Sequence, residues 1–352
     1  MKLPPPRRLA LRLALSTAAL LLAVATAEFG LRQFAPQPIS WLSIYAPDDV
    51  LPYRLAPGAQ QRVETGETSW DVFVDAFGYR ADGPDAAGRN EATYLLGLGD
   101  SFAFGHGCNQ EQSLYGLLDR GLEGVRVRNA AVPGYGPTQY RQVLEHHLGQ
   151  PGLVGVVVTS FLGNDFHDGI WNKDRPITDG ALGATAGRRY WLKKTSHLYR
   201  FLSAQAHALG LGRGESDLQL SAELMSHAAW VDGRLAEAER IYQTELERIR
   251  DLCRENDLPL FVVLLPARTT TDDELLQAAL QTAELAPEDW QRDLPTQKAA
   301  AVCARLGLPY FEAGELLRTL PPPVYFRFDG HFRPETTRVL AANLERQLAP
   351  GG

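Results

Sequence analysis

A doubly wound, three-layer α/β fold with a mainly parallel sheet is the class this chain predicts, with a large insertion after the third strand. Three observations predict it. From Tyr94 onward, strand-like segments alternate with helix-like ones, the order in which parallel sheets are assembled. Val154–Ser160 is a continuous apolar run of the kind buried on both faces of a sheet. Leu235, Ala238, Ile241, Tyr242, Leu246, Ile249 and Leu252 recur at the helical period and define a helix, Leu235–Asn256, that leads straight into the next strand.

Lys2, Arg7, Arg8 and Arg12 come first, followed by Leu13 to Ala27, which carry no charge. That run suits a secretory signal and is short for a spanning helix of about twenty residues. Ala25-Thr26-Ala27 fits a cleavage site, yet the apolar character resumes after Glu28 with Phe29, Gly30 and Leu31. Residues 1–35 therefore read as a cleaved signal or a retained anchor reaching from about residue 9 to 31. Both place the basic end in the cytoplasm and the body in the periplasm or beyond the cell. Residues 36–90, rich in Pro, Gly and Asp, read as an irregular arm with a β-like stretch at Trp70–Val74 and no motif.

The main domain spans 91–350. Strand Tyr94–Gly99 is followed by a helix around Gln112–Leu122, strand Val125–Ala130 by a helix around Thr138–Gln150, and Val154–Ser160 is the third strand. Leu258–Leu265 is the fourth, stopped by Pro266. A short strand at Pro309–Phe311 and a final helix at Pro334–Gln347 complete the order. The third and fourth strands are too far apart for one crossover, so 166–234 read as an insertion. It leaves the carboxyl end of a central strand, where open α/β sheets bind ligands, and so suits a lid or a substrate wall.

Composition narrows the function. A net charge of −7 leaves nothing to neutralise a phosphate backbone, which argues against nucleic acid. Cys108, Cys253 and Cys303 are odd in number and lack a C-x-x-C, which excludes a disulfide scaffold and most zinc ribbons. They read as unpaired thiols, a Cys253–Cys303 bridge being open because both fall on helices. His-x-x-x-His spacing is absent, so no metal is expected.

Gly97-Leu98-Gly99-Asp100-Ser101-Phe102 lies between a strand and a helix. As a dinucleotide fingerprint it fails, because Phe102 stands where close packing needs a third glycine. As a G-x-S-x-G elbow it also fails, because Ala103 replaces the second glycine. A nucleophilic Ser101 on the turn after a strand remains, its N–H available to an oxyanion. Asn129-Ala130-Ala131-Val132-Pro133-Gly134 follows the second strand, and Phe161-Leu162-Gly163-Asn164-Asp165 follows the third. Phe328-Asp329-Gly330-His331-Phe332 precedes the last helix. All four blocks reach the same sheet edge.

In that order the blocks resemble those of the SGNH hydrolases, or GDSL esterases, across about residues 75–348. Phe77-Gly78-Tyr79-Arg80 and Leu198-Tyr199-Arg200-Phe201-Leu202 resemble an exported bacterial branch of that family. The resemblance implies a flavodoxin-like sheet and ester chemistry without a cofactor. Ser101 would be the nucleophile, His331 the base and Asp329 its orienting partner. Ser101, Gly134 and Asn164 would form the oxyanion hole. The substrate it implies is an acylated envelope or extracellular glycan or lipid. Two departures stand out: Asp329 and His331 are two residues apart instead of three, which an extended segment accommodates, and Gly163-Asn164 lacks a spacer residue.

Other residues have plainer readings. His106 reads as a surface loop residue, His146 and His147 as helix surface, and His167 as a second candidate for the pocket. Asp100 and Asp165 read as loop braces, and Trp171, Trp191 and Trp230 as core. Arg268, just past the fourth strand, reads as a solvated cation or a contact for an anionic substrate. An acyltransferase working through the same acyl-enzyme, and a non-catalytic envelope-assembly protein on the same fold, are the alternatives to an esterase. Oligomeric state is not encoded in any of these features.

Overall fold

The computed structural model describes residues 6–37, 41–65, 67–84, 93–171, 174–183, 187–208, 215–231, 233–327 and 329–348. Its contacts divide the chain into two units: Met1–Ser40 with Ala184–Arg213, and Trp41–Gly183 with Gly214–Gly352.

The larger unit is built on one eight-stranded sheet: β1 (Gln60–Glu64), β2 (Ser69–Val74), β3 (Arg80–Ala81), β4 (Tyr94–Gly99), β5 (Arg126–Asn129), β6 (Leu153–Phe161), β7 (Leu260–Leu265) and β8 (Tyr310–Glu312). Their order across the sheet is β8-β7-β6-β4-β5-β3-β2-β1. The strands β8, β7, β6, β4 and β5 run parallel. From β4 the chain steps one way to β5, then returns past β4 to β6, β7 and β8. Parallel strands joined in this order are connected, as a rule, by right-handed crossovers, which place helices on both faces. Helix Leu114–Gly121 packs with Pro334–Leu348, and helix Pro137–His147 packs with Arg234–Glu255. The doubly wound α/β class is thus observed. Its switch point, where connections leave in opposite directions, lies between β4 and β6.

The core follows from the patterns that predicted it. Gly155 to Phe161 of β6 are all buried, as expected of a strand covered on both faces. Helix Arg234–Glu255 buries Leu235, Ala238, Tyr242, Leu246 and Ile249 against the sheet. Glu245, also buried, accepts from Arg141 Nε at 2.5 Å and ties that helix to Pro137–His147.

Three differences from expectation are structural. Residues 60–81 are not an irregular arm, because β1, β2 and β3 extend the sheet antiparallel from β5. Trp70, Val72 and Val74 alternate inward along β2. Its partner β1 buries only Val63, so no period of two is visible in that sequence. The insertion 166–234 is not one body. Ala184–Arg213 group with the N-terminal helix, while helix Glu215–Met225 packs on Asp273–Ala283 in the larger unit. Finally, Cys108, Cys253 and Cys303 are all buried and free, so the Cys253–Cys303 bridge is not formed.

In the smaller unit a single helix spans Pro6–Phe34. Its Leu9–Phe34 stretch is long and apolar enough to cross a membrane, with mean hydropathy 1.9. The helix continues through Ala25-Thr26-Ala27, longer than the uncharged run alone suggested. The Glu28 carboxylate accepts the Leu198 N–H at 2.8 Å and the His197 N–H at 2.9 Å, capping helix His197–Ala208.

Candidate active site

The four sequence blocks converge at the carboxyl edge of the parallel strands. Ser101 follows β4, and its Oγ lies 2.7 Å from His331 Nε2. His331 Nδ1 lies 2.6 Å from Asp329 Oδ1. The two-residue spacing works through a turn and not through the extended segment expected. Gly330 has φ 84, a left-handed conformation that glycine adopts freely, and the His331 N–H also reaches Asp329 Oδ1 at 3.3 Å. The Phe102 ring, stacked on Phe161 at 3.7 Å, lies 4.7 Å from the His331 ring and closes one side of it.

The sequence blocks that meet at this edge carry three potential donors. Among the described residues, the backbone N–H groups of Ser101 and Gly134 have no protein acceptor. Gly134 sits at φ 83, and a Cβ there would fall 2.7 Å from Tyr53 Oη. Tyr53 Oη donates to Pro133 O at 3.1 Å, steadying the same loop. Asn164 Nδ2 donates to Asp100 Oδ2 at 3.0 Å and has a second hydrogen left. Asp100 Oδ1 accepts the Phe102 N–H at 2.9 Å. One buried carboxylate thus orients both the Ser101 turn and the amide arriving from β6, which is the bracing role expected of it. Asp165 braces similarly, accepting from Tyr140 Oη at 2.9 Å and from Ser160 Oγ at 2.5 Å.

The charges are arranged for a neutral imidazole beside a firm carboxylate. Burial alone would raise the Asp329 pKa. Hydrogen bonds from His106 and His331 outweigh it and hold that carboxyl far below its usual range. His331 is lowered from 6.5 by burial and by the neighbouring charge of His106, against the pull of Asp329. For Asp100 burial is the largest cause and pushes its carboxyl upward.

Several residues stand elsewhere than expected. His106 is not a surface residue: its Nε2 lies 3.2 Å from Asp329 Oδ2. His147 is buried too, between Tyr79 Oη at 2.5 Å and Val143 O at 2.6 Å, because it faces inward on its helix beside His146, which is exposed. Burial lowers His147 to about 4. His167 meets Glu223 at 3.4 Å and stacks on Trp171, and no described contact joins it to Ser101, Asp329 or His331. Trp230 is core, whereas Trp171 and Trp191 are 38% and 61% exposed. Arg268 pairs with Asp272 at 3.5 Å and lies over the Tyr325 ring. His106, Asp329 and His331 are the one cluster of metal-ligand composition among the described residues. Here those atoms bond one another and Ser101.

Two supporting residues carried little or no signal in the sequence. Glu67, on the β1–β2 turn, accepts the Arg327 N–H at 2.7 Å and the Asp329 N–H at 3.2 Å. Arg80, quoted only as part of a resemblance, is buried and donates to the carbonyls of Phe104, Gly105 and Cys108. It holds the loop that follows Ser101. Arg80→Met should remove these bonds together, with only Asn129 Nδ2 at 3.4 Å left on the Phe104 carbonyl and the Cys108 N–H at 3.3 Å and Cys108 Sγ at 3.4 Å left on that of Gly105, and cost about 3 kcal/mol or more. A thermal denaturation midpoint unchanged from wild type would contradict this role.

No protein-family model matches the chain, and no curated protein matches it in sequence. Solved structures are similar in part. A lipase/acylhydrolase from Enterococcus faecalis is 15% identical, the match covering 73% of this chain and 95% of that one, with a TM-score of 0.40. TesA is 15% identical over 73% of this chain and 98% of its own, also at 0.40. A GDSL-like lipase from Bacteroides thetaiotaomicron is 9% identical over 73% and 87%, at 0.36. These are likenesses, and the chemistry rests on the residues of this chain.

Proposed function

We propose that the chain is a serine esterase of the SGNH type, exported and held at a membrane by its N-terminal helix, that removes acyl groups from an envelope or extracellular glycan or lipid. The observation that carries the ester chemistry is the unbroken line from Ser101 Oγ through His331, 2.7 Å away, to Asp329, 2.6 Å further. His331 takes the proton as Ser101 attacks the ester carbonyl, then gives it to the leaving alcohol. Asp329 keeps the imidazole oriented and stabilises its cation. The Ser101 and Gly134 N–H groups and the Asn164 amide receive the charge on the carbonyl oxygen. Each such donor is worth roughly 3 kcal/mol in the transition state. Water then releases the acyl group from Ser101.

A fluorophosphonate should label the folded protein at Ser101 and fail to label Ser101→Ala. A folded wild type that resists labelling would overturn the proposal. Turnover should fall as pH drops through a value below 6.5, because a depressed His331 pKa keeps the base neutral into mild acid. The glycan or lipid class rests on the family resemblance together with the apolar helix at the N-terminus. Alkaline phosphatase fused at Trp41 should be active in a Gram-negative host; activity of a cytoplasmic reporter alone would contradict export.

A further inference from the structure

We propose that His106 is a positioning residue, the fourth member of the relay, holding the free oxygen of Asp329 so that its other oxygen stays on His331. This rests on the serine-esterase reading above. Asp329 stands between two imidazoles, with His331 Nδ1 2.6 Å from Oδ1 and His106 Nε2 3.2 Å from Oδ2. An ionised carboxylate only accepts, so each ring must present an N–H to it. His106 can do so in its Nε2–H tautomer, leaving Nδ1, which is buried and has no partner among the described residues. A carboxylate with one bonded oxygen can swing about its Cβ–Cγ bond. With both oxygens bonded, that rotation breaks two hydrogen bonds at once.

Ring contacts hold His106 in this place. It lies between Trp70, 5.1 Å away, and His331, stacked at 4.5 Å. Gly105 and Gly107 flank it at φ 83 and 89, allowing the sharp path that turns the side chain inward. Trp70 belongs to β2, so the antiparallel part of the sheet reaches the relay through this stack. A second consequence is electrostatic. A positive charge on His106 disfavours one on His331, in the same direction as Arg268 and against Asp329. Glu67 faces the pair through its bond to the Asp329 N–H. None of Asp329, Arg268 and Glu67 is altered when His106 alone is replaced.

The test uses the full chain and two variants. His106→Gln keeps an N–H donor but has no ring. His106→Phe keeps the stack on Trp70 and His331 but has no donor. On the alkaline plateau His106→Phe should lower kcat about tenfold with KM unchanged, as expected for losing a hydrogen bond to a charged group. His106→Gln should restore most of that loss. In both variants the acid limb of kcat, and of the rate of fluorophosphonate labelling at Ser101, should move to higher pH. Wild-type kcat in His106→Phe, an equal loss in both variants, or an unmoved acid limb in both would each overturn the inference, provided that Ser101→Ala is inactive. Activity in Ser101→Ala would overturn the serine-esterase reading itself, whatever the His106 variants do.

Discussion

Ser101→Ala and His331→Ala are each expected to lower kcat by a factor on the order of 10⁵ to 10⁶, and the double variant to be hardly worse than either. The reason is mechanical. Ser101 Oγ and His331 Nε2 share one hydrogen bond of 2.7 Å, and each group is idle without the other: the hydroxyl is a weak nucleophile until its proton has an acceptor. Asp329→Ala should cost less, about 10⁴, because it takes no proton. The turn at Gly330 makes that loss firm despite the short spacing, since Asp329 Oδ1 accepts from both the ring and the backbone N–H of His331. Steady-state kinetics on the four proteins decides it. Additive losses in the double variant would mean that Ser101 and His331 do not act as a unit.

The second large effect belongs to Asn164. Asn164→Ala should lower kcat roughly a hundredfold with little change in KM, because its amide meets the substrate oxygen only once charge has developed there. The structure adds a complication. The same Nδ2 donates to Asp100 at 3.0 Å, and truncation leaves that buried carboxylate one donor short. A stability loss of about 1–3 kcal/mol should accompany the kinetic one. Thermal denaturation of the free variant separates the two. A rise in KM alone, with kcat intact, would make Asn164 a residue for ground-state binding.

The residues that fold the parallel half of the sheet were legible because burial leaves a pattern. β6 is apolar throughout, and helix Arg234–Glu255 repeats at 3.6. The nucleophile and oxyanion candidates were legible because each stands in a short block at the end of a strand, and the base candidate because its block precedes the last helix. What escaped was whatever depends on contacts distant in the chain. Nothing local says that Glu67 meets the Asp329 N–H, 262 residues away, or that Arg80 fills the loop after Ser101. β1 escaped because a strand at a sheet edge that buries only Val63 has no readable period. His106 was misread for a related reason. A histidine between two glycines has the composition of a surface turn, and only the fold brings Asp329 and Trp70 to it.

The central claim is that Ser101 carries the acyl group between two halves of one reaction. The most direct measurement is a rapid-quench experiment with p-nitrophenyl acetate on the full chain, followed by mass analysis of the peptide containing Ser101. A burst of nitrophenol approaching one equivalent of enzyme, with one acetyl group on Ser101 that decays at the steady-state rate, is the predicted result. Steady turnover with no acetyl group on Ser101 at any time, or an acetyl group that accumulates on another residue, would contradict it.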